Sequence, residues 1–367
     1  MFNHHMMVLG RDSRGLTQTE LAKLLSVGQG TISKYESGIN DPPQEFVSEL
    51  ALSLGYLPDF FFEPGRPFGL PPFHYRKRKK LSQKSLNKIV AEINIRRMHI
   101  KRLLRSYDYV GCKSIVEIDR DEYLAGSGKV FSIENVANQI RDFWMIGDGP
   151  IQNVMELIEN AGGIIVPCDF ETDLIDAVSQ RVDGLPVLFF VNINAPSDRM
   201  RLTLCHELGH MILHTATILD DSVMEEEADR FAGAFLLPAR EVRPQLRQFN
   251  LRQLSNMKRY WKVSMAAIAT RADQLGLITQ YQKKSFWVEM SRLGYRKREP
   301  NEPQKERPKL ISKMISYHID VLKYSRSELA KILYLSLSEF DRMYGDHLLW
   351  QGDDDPSGGR THLRVIK

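Results

Sequence analysis

The run His206-Glu207-Leu208-Gly209-His210 constrains this chain more than any other stretch. Residues four apart on an α-helix lie on one face, one turn above the other. Two imidazoles so placed can reach one metal ion at ~2.0–2.1 Å, the distance zinc takes from a histidine nitrogen. The spacing therefore asks for a helix through residues 206–210 and for a core that holds it. Leu202, Leu204 and Leu208 supply anchors on the other faces, and Gly209 lets a neighbouring backbone come close. Glu207 sits beside the pair, set to take a proton from water rather than to bind metal. Zinc lowers the pKa of a water it holds to about 7, within reach of a carboxylate base. The motif points to hydrolysis, with His206 and His210 as metal ligands and Glu207 as the catalytic residue.

A catalytic zinc needs a third protein ligand. Residues 224–232 offer Glu225, Glu226, Glu227 and Asp229 on a second helical stretch, with Glu225 and Asp229 four apart on one face. The arrangement is similar to the gluzincin pattern, in which a Glu ligand is followed four residues later by an Asp that orients a metal-bound histidine. That resemblance implies Glu225 as the metal ligand and Asp229 as the supporting residue; Glu226 and Glu227 stay open as alternatives. His214 continues the face of the two histidines. A straight helix cannot bring three successive turns to one tetrahedral ion, so His214 is expected to support or pack rather than ligate. Cys205, next to the first histidine, is read as an inert buried thiol.

The chain has 367 residues, enough for two or three domains, with 43% hydrophobic and 26% charged residues, as in ordinary globular proteins. A net charge of +4 does not by itself mark a nucleic-acid binder. Cys112, Cys168 and Cys205 show no paired spacing and fit free thiols in a reducing compartment. The first fifteen residues lack the apolar core of a signal peptide, and no apolar run approaches the ~20 residues of a membrane span. A cytoplasmic protein with no membrane partner is expected.

Near the start, Thr17-Gln18-Thr19-Glu20 reads as a helix-opening capping box, followed by an apolar stripe of Leu21, Leu24 and Leu25. Ser26-Val27-Gly28 breaks the helix, and a second is expected over residues 29–37. A third, over 43–55, places Phe46, Leu50, Ala51 and Leu54 on one face. Residues 15–38 resemble the helix-turn-helix of the Cro-type (XRE) repressor family at Leu16-Thr17-Gln18, Glu20-Leu21-Ala22, Val27, Gln29, Ile32-Ser33, Glu36 and Gly38. Leu21, Ala22, Leu25, Val27 and Ile32 would close a small core across the turn. Gln29, Gly30, Thr31, Ser33 and Lys34 then face outward on the helix that, in this fold, enters the major groove of DNA. Gln29 can read adenine bidentately, Lys34 can serve guanine or a phosphate, and Gln18 would contact backbone phosphate. Upstream the chain departs from the family, with methionine-rich FNHHMMVLG where a basic first helix is usual.

Residues 58–72 are rich in proline, glycine and aromatics and read as a linker that packs against something. A basic run, 74–80, precedes a long helical stretch to about residue 107. The best strand candidates are 163–168 and 186–192, the second just before the metal helix, where an edge could take a substrate strand. Residues 299–308, charged and proline-bearing, read as a second linker. Residues 326–333 faintly echo 17–25, which leaves a degenerate helix-turn-helix-like unit open at the C-terminal side. The expected organisation is a DNA-binding domain over 1–65, a linker and helical connector over 66–135, a peptidase domain over 136–298 and a small helical domain over 309–350. The expected class is mainly α with a small β-sheet (α+β).

A helix-turn-helix head joined to HELGHxxxH and, at 225–238, a run of the type ExEADxFAxxxLLP resembles the ImmA/IrrE family of metallopeptidases. The resemblance spans residues 10–65 and about 140–280. It implies a gluzincin-like zinc peptidase fold, Zn2+ as cofactor, and cleavage of repressor proteins in a stress or mobile-element response. The partners implied are a double-stranded DNA operator and a repressor-type protein substrate, with a homodimer left open. The rival reading is a transcription regulator whose peptidase-like domain senses a ligand without cleaving; an intact Glu207 favours catalysis.

Overall fold

The computed structural model describes residues 1–67, 81–109, 114–119, 131–214 and 219–349, with side chains to 345. The elements run α1 His4–Ser13, α2 Gln18–Leu24, α3 Gln29–Glu36 and α4 Gln44–Leu54, then a 3-10 turn at Pro58–Phe62 and α5 Gln83–Leu103. Next come α6 Ile133–Phe143, α7 Val154–Asn160, β1 Ile164–Cys168, β2 Ala177–Gln180 and β3 Leu188–Asn192. The helices α8 Ser197–Leu213, α9 Asp221–Leu236, α10 Ala239–Gln245, α11 Leu251–Trp261, α12 Met265–Gln274 and α13 Gln280–Arg292 follow. The last are α14 Leu310–Ser316, prolonged by a π turn at Tyr317–Val321, α15 Arg326–Ile332 and α16 Leu337–Leu349. The chain is thus mainly helical with one small sheet. Among the described residues no helix is long and apolar enough to cross a membrane. The basic run 74–80 and Cys112 lie outside the described residues.

Two compact units form, one from 1–70, 76–110 and 309–367, the other from 71–75 and 111–308. In the first, the expected capping box is present: Glu20 N–H donates to Thr17 Oγ1 at 3.1 Å, and Thr17 N–H to Glu20 at 2.7 Å. Leu21, Ala22, Leu25 and Ile32 are buried between α2 and α3, whereas Val27 is half-buried. Met6, Met7 and Leu9 of α1 go into this core with Phe46, Val47, Leu50 and Leu54 of α4, so the methionine-rich helix is a packing element. Phe60 and Phe61 are 1% and 0% exposed, which makes the aromatic part of the expected linker a fixed piece of the head.

Two further stretches group with the head. Residues 309–349 do not stand as a small domain of their own; they belong to the head unit. Nor is α5 part of a free connector, since it packs along α1 and carries His99, whose Nδ1 lies 2.8 Å from Tyr344 Oη of α16. The reason is burial: Leu329, Ala330, Leu333, Leu335 and Phe340 are at most 1% exposed, more apolar surface than three short helices could cover alone.

In the second unit the sheet has the order β1-β3-β2. β1 pairs parallel to β3 (Ile164 opposite Leu188) and β2 antiparallel to it (Ala177 opposite Val191). The strand before the metal helix is therefore central, with both edges taken, so the expected substrate edge on β3 is corrected. The residues that took it, Ala177-Val178-Ser179-Gln180, show no alternation of apolar and polar types for a sequence reading to find. α8 crosses the sheet with Leu204 and Leu208 buried, and α9 lies against it. The contact depends on Gly209, where a Cβ would stand 3.1 Å from Phe231 and 3.3 Å from the backbone of Ala228.

The expected second linker is a strap. Glu299 accepts from the N–H groups of Met265 (2.7 Å) and Ala266 (3.0 Å), Glu302 from Ser197 (3.0 Å), and Glu306 from Val154 (2.8 Å) and Met155 (3.0 Å). Three successive carboxylates thus cap the N-termini of α12, α8 and α7. Each meets donors that a helix leaves without an internal partner, at the positive end of its dipole. Charge and proline, which on the sequence read as a solvated tether, are here the residues of a clasp on three helix ends.

Candidate functional site

The helix α8 carries His206, Glu207, His210 and His214, and α9 carries Glu225, Glu226, Glu227 and Asp229. His206 Nε2 and His210 Nε2 lie 3.0 Å apart. Glu225 reaches both, with Oε1 3.2 Å from His210 Nε2 and Oε2 3.9 Å from His206 Nε2. One donor atom from each of the three falls within 4.8 Å of the other two. Donors at ~2.05 Å from one ion and at tetrahedral angles stand about 3.3 Å apart, so the three sites have the size and the N/O donor chemistry of a zinc centre. The other carboxylates turn elsewhere: Glu226 pairs with Arg230 at 2.8 Å on the surface, and Glu227 with His214.

Each imidazole is held from behind. His206 Nδ1 lies 2.7 Å from Asp229 Oδ1. Burial works against a charged His206, but the Asp229 hydrogen bond and the Glu207, Asp229 and Glu225 charges outweigh it, and its pKa is raised. His210 Nδ1 lies 3.0 Å from His214 Nδ1, and His214 Nε2 lies 3.0 Å from Glu227 Oε2. One proton assignment satisfies the series: Glu227 accepts from His214 Nε2–H, so His214 Nδ1 accepts from His210 Nδ1–H. That leaves the lone pair of His210 Nε2 toward Glu225 and His206.

Glu207, 1% exposed, is fixed by a residue that the sequence reading missed. Its Oε2 accepts from Ser179 N–H at 2.9 Å and from Ser179 Oγ–H at 2.6 Å, across from β2. Ser179 lies 28 positions upstream in a strand without a pattern, and nothing local announces the pair. Cys205 is fully buried, and burial pushes its thiol up to about 12, against the weaker pull of Arg201 and Arg141. It is buried, as expected.

On the head, Gln29, Gly30 and Lys34 are exposed on α3, and Thr31 and Ser33 half-exposed. Gln29 Nε2 donates to Gln18 Oε1 at 2.8 Å, and Gln18 Nε2 donates to Glu36 Oε2 at 2.8 Å. Arg11 completes the series on Glu36 at 2.6 Å. The Gln18 side chain is thus committed to bracing Gln29.

Residues 10–61 match the family model of the helix-turn-helix, and residues 161–273 that of the IrrE N-terminal-like domain, a peptidase family. The chain joins a helix-turn-helix to an IrrE-like domain. A search of the curated proteins finds no match to it. The IrrE-like match takes in both α8 and α9, and with them every residue of the metal-site cluster.

Proposed function

We propose that the chain is a zinc-dependent endopeptidase that also binds DNA through α3 and cleaves a repressor-type protein. The observation that carries this is the convergence of His206, His210 and Glu225 with a buried, oriented Glu207 beside them. Zinc held by those three would polarise the scissile carbonyl and ease the deprotonation of water. The chain's own residues do the rest. Ser179 occupies Glu207 Oε2 and fixes the plane of the carboxylate, so that the proton of the attacking water goes to Oε1. Asp229 holds His206, and Glu227 through His214 holds His210, each imidazole keeping its proton on Nδ1 and its lone pair on Nε2. In the head, Gln29 is the base-reading side chain, pre-set by Gln18, with Lys34 beside it for guanine or phosphate.

The test is incubation of the zinc-loaded protein with helix-turn-helix repressors of the same genome, beside Glu207→Gln. Cleavage by the wild type, none by Glu207→Gln at full zinc content, and loss of zinc in His210→Ala and Glu225→Ala are expected. Intact operator binding with no repressor cleaved would replace this reading by that of a non-proteolytic regulator.

A further inference from the structure

The helices at the C-terminal side repeat the head residue for residue. Adding 308 to a head number gives its counterpart, so that the capping box Thr17/Glu20 becomes Ser325/Glu328. The left-handed residues before and after α2, Gly15 (φ 60°) and Ser26 (φ 52°), become Lys323 (φ 62°) and Tyr334 (φ 59°). The bonds that close the turn, Leu25 N–H to Leu21 O, Ser26 to Lys23 and Val27 to Ala22, return as Leu333 to Leu329, Tyr334 to Lys331 and Leu335 to Ala330. The buried set Leu21, Ala22, Leu25 and Ile32 returns as Leu329, Ala330, Leu333 and Phe340, and α3 and α16 begin at Gln29 and Leu337. Any capped helix pair shares a capping box and an apolar stripe. It does not also share the positions of two left-handed residues, the turn length and three bonds at a single offset.

The surface chemistry of the copy is different. Where the head presents Gln29, Gly30, Thr31, Ser33 and Lys34, the copy has Leu337, Ser338, Glu339, Asp341 and Arg342. Two carboxylates on that face repel phosphates. Glu339 pairs with Arg14, at the end of α1, at 2.7 Å and with Arg342 at 2.6 Å, and Asp341 with Arg326 within the copy; Leu337, Ser338 and Arg342 stay exposed, as Gln29, Gly30 and Lys34 do. The turn leading into α16 is joined to the end of α4, Ser336 N–H donating to Gly55 O at 3.0 Å and Leu57 N–H to Tyr334 O at 2.9 Å. The Arg14–Glu339 pair has no reciprocal: its counterpart would be Leu322 with Thr31, which can form no ion pair.

We propose that residues 309–349 are a second helix-turn-helix, joined to the head through the turn before α16, whose exposed face has lost the chemistry for DNA, so that each chain reads DNA with α3 alone. This rests on the DNA-binding reading of the head for its second half, and the experiment separates the two. A duplex is selected from random-sequence DNA on the full chain, and binding is measured by anisotropy. Gln29→Ala and Lys34→Ala should each weaken it about tenfold or more, while Leu337→Ala and Arg342→Ala, at the counterpart positions, should change it less than about twofold. Equal losses from both helices would overturn the proposal. If no duplex is selected, the DNA reading of α3 falls, and with it the second half. The docking is read independently by amide exchange of the wild type. The N–H groups of Leu57 and Ser336, bonded across the two copies, should be protected to the same degree as those inside α15. Rapid exchange at both, with α15 protected, would overturn the docking.

Discussion

At the candidate metal site two side chains make similar hydrogen bonds to different partners, and under the proposed function substitution should separate their roles. Ser179→Ala removes the hydroxyl donor to Glu207 Oε2 while leaving the ligands alone. A bond to a charged group is worth about 1.5–3 kcal/mol, so cleavage should slow by roughly 10- to 100-fold at unchanged zinc affinity. Glu227→Gln leaves Glu207 alone and removes the charge that ends the His210–His214 series. Zinc affinity should fall by about 10- to 100-fold, read by competition with a chromophoric chelator. The same loss of affinity in Ser179→Ala would sink the division of roles. The candidate ligands were legible as a cluster because one helical period places His206 and His210 together and another places Glu225 with Asp229. Ser179 was not, because a partner fixed by tertiary contact across a sheet edge leaves no periodic trace. The choice among Glu225, Glu226 and Glu227 needed the direction in which α9 faces α8, which spacing alone does not give.

At the scale of elements, burial decides what a polar segment does. Residues 299–308 have the composition of a tether, yet Glu306 caps α7 and pairs with Arg201, whose side chain is 2% exposed. Removing one partner of a buried pair strands the other charge, so Glu306→Ala should cost about 3–5 kcal/mol, seen as a lower urea midpoint at unchanged slope. A loss under about 1 kcal/mol would mean that the strap is surface-bound. In the head unit, burial, with lesser repulsion from Arg96 and Arg102, lowers the pKa of His99 to about 3, against 6.5 for an exposed histidine. Between these values the unfolded chain binds the extra proton. The contribution is whole above about pH 6.5 and is lost as pH falls toward 3, by at most about 1.4 kcal/mol per unit. His99→Gln should flatten that slope in urea melts taken at successive pH values. The helices and two strands followed from apolar periodicity and caps; β2, with four residues and no alternation, did not. The echo of 17–25 in 326–333 was visible as a pattern of residue types. Its full register appears only with the backbone angles and turn bonds.

For the whole molecule, the candidate metal site lies within one of two units. Three of the four tryptophans, Trp144, Trp261 and Trp287, lie in 111–308, so intrinsic fluorescence reports mainly on the unit with the zinc ligands. A ligand present at a thousand times its Kd stabilises the folded form by about 4 kcal/mol, so chelation should lower the fluorescence-detected melting temperature of the wild type. His210→Ala should already melt low and not respond to the chelator; an equal response in both would remove the metal from this site. The other unit takes in 1–70, 76–110 and 309–367, with nearly all of the IrrE-like unit encoded between its parts. That order has a consequence in time. At ~5–20 residues per second, the intervening stretch of about 200 residues takes a ribosome roughly 10–40 s to make. During that interval a new chain already carries α3, and the backbone at Gly55 and Leu57 has no Tyr334 or Ser336 to meet. The head is completed only once residues 309–349, which repeat it, have been made.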